Sequence, residues 1–263
     1  MPRVRVAGAS ALIAPIVVGI AFLLLWEAVV QGLDLQPYFL PAPSAIGDAF
    51  VDNTGIIWEA TYNSGTNALI GLIAGTVLGV ATAFLLMRFR LLNEIVTPLA
   101  VALNAIPIVV LVTVFLGMFG STSEIPRRLM VTLIVFFIVL VNVAKGLRQV
   151  HPTHLELLRS YAASPWDVLV KARIPNAVPY LFTALKIAAP ASVITAFVAE
   201  YFGGPQRGLG TRITSNFANS KNAVAWGYVL GACLLGLTFY LVSIALESLI
   251  TQRRGRSPGG ATT

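Results

Sequence analysis

Residues His151–Pro175, HPTHLELLRSYAASPWDVLVKARIP, form the longest charged interruption in an otherwise apolar chain. They set Glu156, Arg159, Asp167, Lys171 and Arg173 between two hydrophobic runs. Other residues with chemical potential are few. Lys186 is the only Lys or Arg deep inside an apolar run, and Glu200 closes that run. Such a lysine must pair with a carboxylate, face water or attract an anion. Glu200 is either a plain interfacial carboxylate or a group that receives solute or caps a gate. The glycines of GGPQRGLG (203–210) have the composition of a phosphate cradle. They follow an apolar run, though, and lack the strand-to-helix context that a cradle needs. None of the four lysines follows a glycine, so GxxxxGK[ST] is absent and any nucleotide must bind another polypeptide. His151 and His154 are three apart with no third ligand near them, so no metal site is expected.

The elements around these residues are membrane spans. Of 263 residues, 57% are hydrophobic and 11% charged, where a soluble domain carries about 25% charged residues. The net charge of +7 sits in short loops between apolar runs. That is a topology signal and does not indicate nucleic-acid binding. The single Cys233 excludes an internal disulfide. Spans are expected at about 11–31, 64–87, 95–118, 129–144, 177–200 and 224–247. Residues 1–10 form a short N-terminus and 251–263 a polar, disordered tail. Gly32–Glu59 has acidic residues but no Lys or Arg, which fits an outer turn with a short interfacial helix. Gly71, Gly75 and Gly79 form a ridge for close helix packing, with a pore lining as the alternative. Pro107 inside the third span frees a backbone carbonyl, so Asn104–Pro107 is either solute-path backbone or a packed kink. Arg127 and Arg128 run against the charge rule in an outer loop. Twelve Lys or Arg fall on the proposed cytoplasmic side against five outside, which puts both termini and His151–Pro175 in the cytoplasm.

Within His151–Pro175, Pro152 opens one helix and Ser164-Pro165-Trp166-Asp167 restarts another. Ser164 serves as N-cap, Pro165 as first helical residue and Asp167 as capping-box partner. Two short helices with a break at Ala163-Ser164 are expected. Leu155, Leu158 and Ala162 fall on one face and form an apolar knob for a partner to cover.

This segment resembles the "EAA" coupling motif of ABC-importer permeases: Glu-Ala-Ala, three residues, Gly, nine residues, Ile, one residue, Leu-Pro. Glu156 and Pro175 match. Leu157 and Leu158 replace the alanines, Ala162 the glycine, Ala172 the isoleucine and Ile174 the leucine. The phrases SYAASPWDVL, IPNAVPYLFTALKIA, FVAEYFGGPQRGLG and FLPAPSAI are similar to the nitrate/sulfonate/taurine branch, which includes permeases for vitamin precursors. The resemblance covers roughly residues 38–250. It implies an all-α type I permease with about six spans in a bacterial inner membrane, with a second identical or similar permease beside it. It implies two ATPase subunits that carry ATP and Mg, and an extracytoplasmic binding protein that delivers a small solute. The ATPase interface would comprise Leu155, Glu156, Leu158, Arg159, Ala162, Ala163, Ser164, Pro165 and Trp166. Solute would pass near Asn104, Pro107, Lys186 and Glu200. This chain would bind no cofactor. A lone secondary transporter or channel using Lys186, Glu200 and Glu27 is the alternative, and a membrane-embedded enzyme is a further one. Paired intramembrane charges and a His/Asp/Glu cluster, which these would need, are not evident in the sequence.

Overall fold

The computed structural model describes residues 9–89, 107–203 and 207–255. Asn104, Pro98 and the first half of the expected third span lie outside them, as do residues 1–8 and 256–263. Every regular element among the described residues is helical. The order is α1 (Ala9–Gly32), α2 (Pro43–Asp52), α3 (Thr54–Arg88), α4 (Ile108–Phe119), α5 (Ile125–Arg148), α6 (Pro152–Ser160) and α7 (Pro165–Val168). A π-helical turn (Leu169–Arg173) leads into α8 (Ile174–Tyr201), followed by α9 (Leu209–Ala218) and α10 (Asn222–Gly255). Five helical segments, Ile13–Gly32, Thr54–Arg88, Ile125–Arg148, Pro165–Tyr201 and Asn222–Ile250, are long and apolar enough to cross a membrane. α4 is a shorter apolar helix of 12 residues, and the rest of the expected third span lies outside the described residues.

α5 is the central rod. Its Val131, Val135, Val139, Val143 and Leu147 are buried against Ala68 and Ala83 of α3 and Ala184, Ala188 and Ala196 of α8. The glycine ridge sets the α3–α5 distance. A Cβ on Gly71 would stand 2.4 Å from Val131 Cβ, and one on Gly75 would stand 2.6 Å from the Thr132 carbonyl oxygen. One on Gly79 would reach 2.9 Å from the Phe136 carbonyl oxygen. The ridge is therefore a packing surface, since only hydrogen side chains admit the backbone of α5 there.

Several elements differ from the sequence expectation: Arg127 and Arg128 lie in the first turn of α5 and not in a loop, and α10 stays helical to Gly255, into the expected tail. α3 begins ten residues earlier than the expected span, because residues 54–63, expected in a turn, continue the same helix. Pro107 is not inside a helix: its ψ of 126° makes it the residue before α4. Proline has no backbone N–H to give to a helical ladder, which suits a residue standing just before a helix. The second short helix is not separate, since α7 flows through the π turn into α8. Pro175 has no N–H to give to the carbonyl four residues back, so the regular ladder is interrupted here.

α1 buries little of itself, with 6% of its apolar window covered within the chain. Glu27 ties it to α2. Its carboxylate accepts the Ser44 N–H at 3.0 Å, the Ser44 Oγ–H at 2.7 Å and a Gln31 Nε2–H at 2.6 Å. Ser44 lies in the first turn of α2, whose free amides favour a carboxylate.

Candidate functional site

The bundle has two chemically distinct ends. At the His151 end, α6 starts with His151 as N-cap, its Nδ1 accepting the Thr153 N–H at 3.4 Å. The helix stops at Ala162, which holds a left-handed φ of 51°. The Ala162 N–H bonds the Arg159 carbonyl at 2.9 Å, and the Ala163 N–H bonds the Leu158 carbonyl at 3.0 Å. These two bonds form a Schellman motif, whose left-handed residue is usually glycine. Ala162 is also the residue at the glycine position of the coupling motif.

The Ser164 capping box is present. Ser164 Oγ accepts the Asp167 N–H at 3.2 Å, and the Ser164 N–H reaches Asp167 Oδ2 at 3.3 Å. Lys171 Nζ stands 2.6 Å from Asp167 Oδ1. Asp167 precedes the apolar run of α8.

The apolar face of this segment differs from the one expected. Leu155 and Leu158 are half-buried, and Ala163 likewise, while Ala162 is exposed. The large apolar groups most in the open are Leu157 (54% exposed), Tyr161 (77%) and Trp166 (70%), with Val170 exposed less. Glu156, Arg159, Ser164 and Pro165 are exposed beside them. The roots of the segment are fixed: Asn176 Nδ2 donates to the Gly146 carbonyl at 2.7 Å, and Tyr180 OH bonds Gln149 Oε1 at 3.1 Å. His151 and His154 lie ring to ring at 5.9 Å. Among the described residues no group of three metal-ligating side chains forms.

The Glu200 end is the reverse case, with polar side chains sealed among apolar ones. Glu200 and Arg127 are each 1% exposed. Glu200 Oε2 accepts the Ser64 Oγ–H at 2.7 Å and the Gly210 N–H at 3.1 Å. Ser64 Oγ in turn accepts the Leu209 N–H at 2.9 Å. Arg127 pairs with Glu124 and donates to the carbonyls of Ser121 and Ser123, each at 3.2 Å. Its Nη2 also reaches the Gly203 carbonyl at 3.5 Å. Asn67 of α3 donates to Glu124 at 2.7 Å and accepts from Arg128 Nε at 3.0 Å. Ser64, Asn67, Glu124 and Arg127 are site residues that sequence reasoning missed. The signal was available: an arginine that breaks the charge rule has a structural partner to meet.

Lys186 lies between these ends. Its Nζ stands 2.8 Å from Glu247 Oε2 and 3.1 Å from Oε1, tying α8 to α10. Lys186 and Glu200 are about 21 Å apart along α8 at 1.5 Å per residue, so they form no common site. Pro107 is exposed at the start of α4. A groove of about 820 Å³ runs between α3 and α10, lined by Ile57, Thr61, Leu69, Leu235 and Val242. Lys186, Glu200 and Pro107 do not line it.

These features place the chain among known proteins. The sequence profile of the family described as "Binding-protein-dependent transport system inner membrane component" matches residues 75–256. The chain is 30% identical over 234 residues to the formylaminopyrimidine transport permease protein ThiX of Halalkalibacterium halodurans, covering 87% of this chain and 90% of that protein. It is 24% identical over 242 residues to the taurine transport system permease protein TauC of Escherichia coli, covering 88% and 84%. The solved MetNI methionine ABC transporter, in inward-facing conformations, superposes with a TM-score of 0.60 at 17% identity, over 73% of this chain and 96% of that one. An amino acid ABC transporter solved with histidines gives 0.62 at 15% identity, over 77% and 96%. An all-helical bundle of apolar spans, with a polar interhelical segment at one end and this profile across most of its length, belongs to the binding-protein-dependent transport system inner membrane components, the permease subunits of ABC importers.

Proposed function

We propose that the α6–α7 segment is the surface on which the ATPase seats, and that the permease moves a small organic solute of the vitamin-precursor kind. The observation that carries the first part is the set of exposed apolar side chains, Leu157, Tyr161 and Trp166, on a polar segment rooted firmly in α5 and α8. Exposed aromatics rimmed by Glu156 and Arg159 have the make-up of an interface centre. The residues proposed for the interface are Leu155, Glu156, Leu158, Arg159 and Ala162–Trp166, joined by Leu157 and Tyr161. ATP and Mg belong to the partner, two copies of which would face two permease subunits. The solute class rests on similarity to the formylaminopyrimidine permease and, at 25% identity, to the riboflavin permease RibX of Chloroflexus aurantiacus. Both termini and the α6–α7 segment are assigned to the cytoplasm of a bacterial inner membrane, on the balance of positive charge.

ATP-driven closure of the motor would push α6–α7 and, through the π turn, α8. The pathway would then switch its access by rigid-body motion. Asn104, Pro107, Lys186 and Glu200 remain the proposed pathway neighbours, with Lys186 neutralised by Glu247 in the observed state. The test is ATP hydrolysis by the purified complex in lipid nanodiscs, wild type against Glu156→Ala combined with Leu157→Asp. Loss of coupled hydrolysis with an intact permease is the expected result. Absence of any co-purifying ATPase, or normal coupling in the double variant, would sink the assignment.

A further inference from the structure

We propose that Glu200 is a positioning residue that clamps α9 to α8, so that the outer helix moves as one body with the span leading up from the ATPase side. The inference rests on the importer reading above. Three observations carry it. First, a carboxylate is nearly fully buried in an apolar bundle, a placement that is unfavourable unless its partners require it. Second, its partners are the free amides at the start of α9. The Gly210 N–H bonds Glu200 directly, and the Leu209 N–H bonds Ser64, which bonds Glu200. The first turn of α9 thus ends on side chains of α8 and α3, and the positive end of its dipole faces the carboxylate. Third, the backbone of α9 is pressed onto α8 itself. A Cβ on Gly208 would stand 2.3 Å from Glu200 Cδ, and one on Gly210 would stand 2.4 Å from the Phe197 carbonyl oxygen.

The other end of α9 turns into α10, with the Lys221 N–H bonded to the Asn216 carbonyl at 2.9 Å. Phe217, Asn219 and Lys221 are exposed there, where an extracytoplasmic partner would meet the chain. α8 is one helix from Ile174 to Tyr201 and is continuous with the π turn and α7. A displacement of α6–α7 therefore reaches α9 through one span, with the Glu200 carboxylate as the polar link beside the apolar packing of Leu209 and Ile213.

The test uses the permease–ATPase complex in nanodiscs, with Glu200→Ala, Glu200→Gln and Ser64→Ala. In Glu200→Ala, the amides of residues 209–213 should exchange with deuterium about tenfold faster or more, while those of 226–235 stay within about twofold. Gln keeps an oxygen acceptor and should restore most of the protection. A second readout is not moved by a merely structural role. Spin labels at Asn219 and Val51 should change their separation when the wild type is trapped with ATP and vanadate. In Glu200→Ala that change should vanish, while a label pair across Arg159 and Arg88 still responds. Unchanged exchange at 209–213, or an α9 displacement that survives in Glu200→Ala, would overturn the clamp. If Glu200→Ala does not insert, Ser64→Ala removes one link and should accelerate exchange about threefold in the same amides; no acceleration would overturn the clamp equally. Failure of any ATPase to co-purify would count against the importer reading instead, and the exchange arm would still decide the clamp.

Discussion

The two ends of this bundle break opposite rules of burial. At the His151 end, Leu157, Tyr161 and Trp166 stand in the open on a segment that is otherwise charged. At the Glu200 end, Glu200, Arg127 and Ser64 are sealed inside a chain that is otherwise apolar. An exposed apolar group contributes little to the stability of the chain that carries it, and its value is realised when a partner covers it. A sealed polar group does the reverse: its bonds are all internal, and losing one leaves its partner stranded. The make-up of the first end suits the contact with another polypeptide proposed above, and that of the second suits holding this chain in register.

The contrast can be broken by mutation, and the largest effect is expected at the sealed end. Arg127→Met strands the carbonyls of Ser121 and Ser123 and should cost about 3 kcal/mol of stability. Unfolding titrations in detergent would read it; a cost equal to that of an exposed arginine such as Arg159 would erase the distinction. Between the ends, Gly75→Ala forces a methyl group against the Thr132 carbonyl and should cost about 2 kcal/mol through overpacking. The same titration applies, with Gly117→Ala, which meets open space, as control. Lys186→Met and Glu247→Gln should each destabilise more than the pair of changes together. A double-mutant cycle should give a coupling of about 1 kcal/mol, and additive losses would mean that the ion pair contributes nothing. Ala162→Gly should raise stability by about 1 kcal/mol, because glycine holds a left-handed φ without strain. Trp166→Ala should change stability by less than about 0.5 kcal/mol, as an exposed substitution does, yet should weaken ATPase association in pull-down of the complex.

What was legible in the sequence was local. The Ser164–Asp167 capping box, the proline start of α6 and the glycine ridge on α3 each depend on residues within one or two helical turns, and all are present. The apolar face of α6 was misplaced because a helical wheel groups Leu155 with Leu158 but does not say which side the bundle covers. Here the bundle takes that face partly for itself and leaves Leu157 and Tyr161 outside. The ion pair of Lys186 with Glu247 spans 61 residues, and the Ser64–Glu200 bond 136. Spacing along a chain carries no information about such pairs. The sequence named Lys186 and Glu200, and the fold supplied their partners.

The π turn at Leu169–Arg173 has a consequence for rotation. Such a turn holds one residue more than the α-helical ladder around it needs. Each α-helical residue advances the chain by about 100° around its axis. Deleting one residue between 169 and 173 would let the ladder close with α7 and α6 left nearly in place, whereas winding all five residues as regular α-helix would swing α7 and α6 about the axis of α8 by about that angle. Trp166 and Tyr161 would then point to another quadrant of the molecule. The π turn thus fixes the azimuth at which Trp166 and Tyr161 are presented, independently of the length and composition of the span that follows.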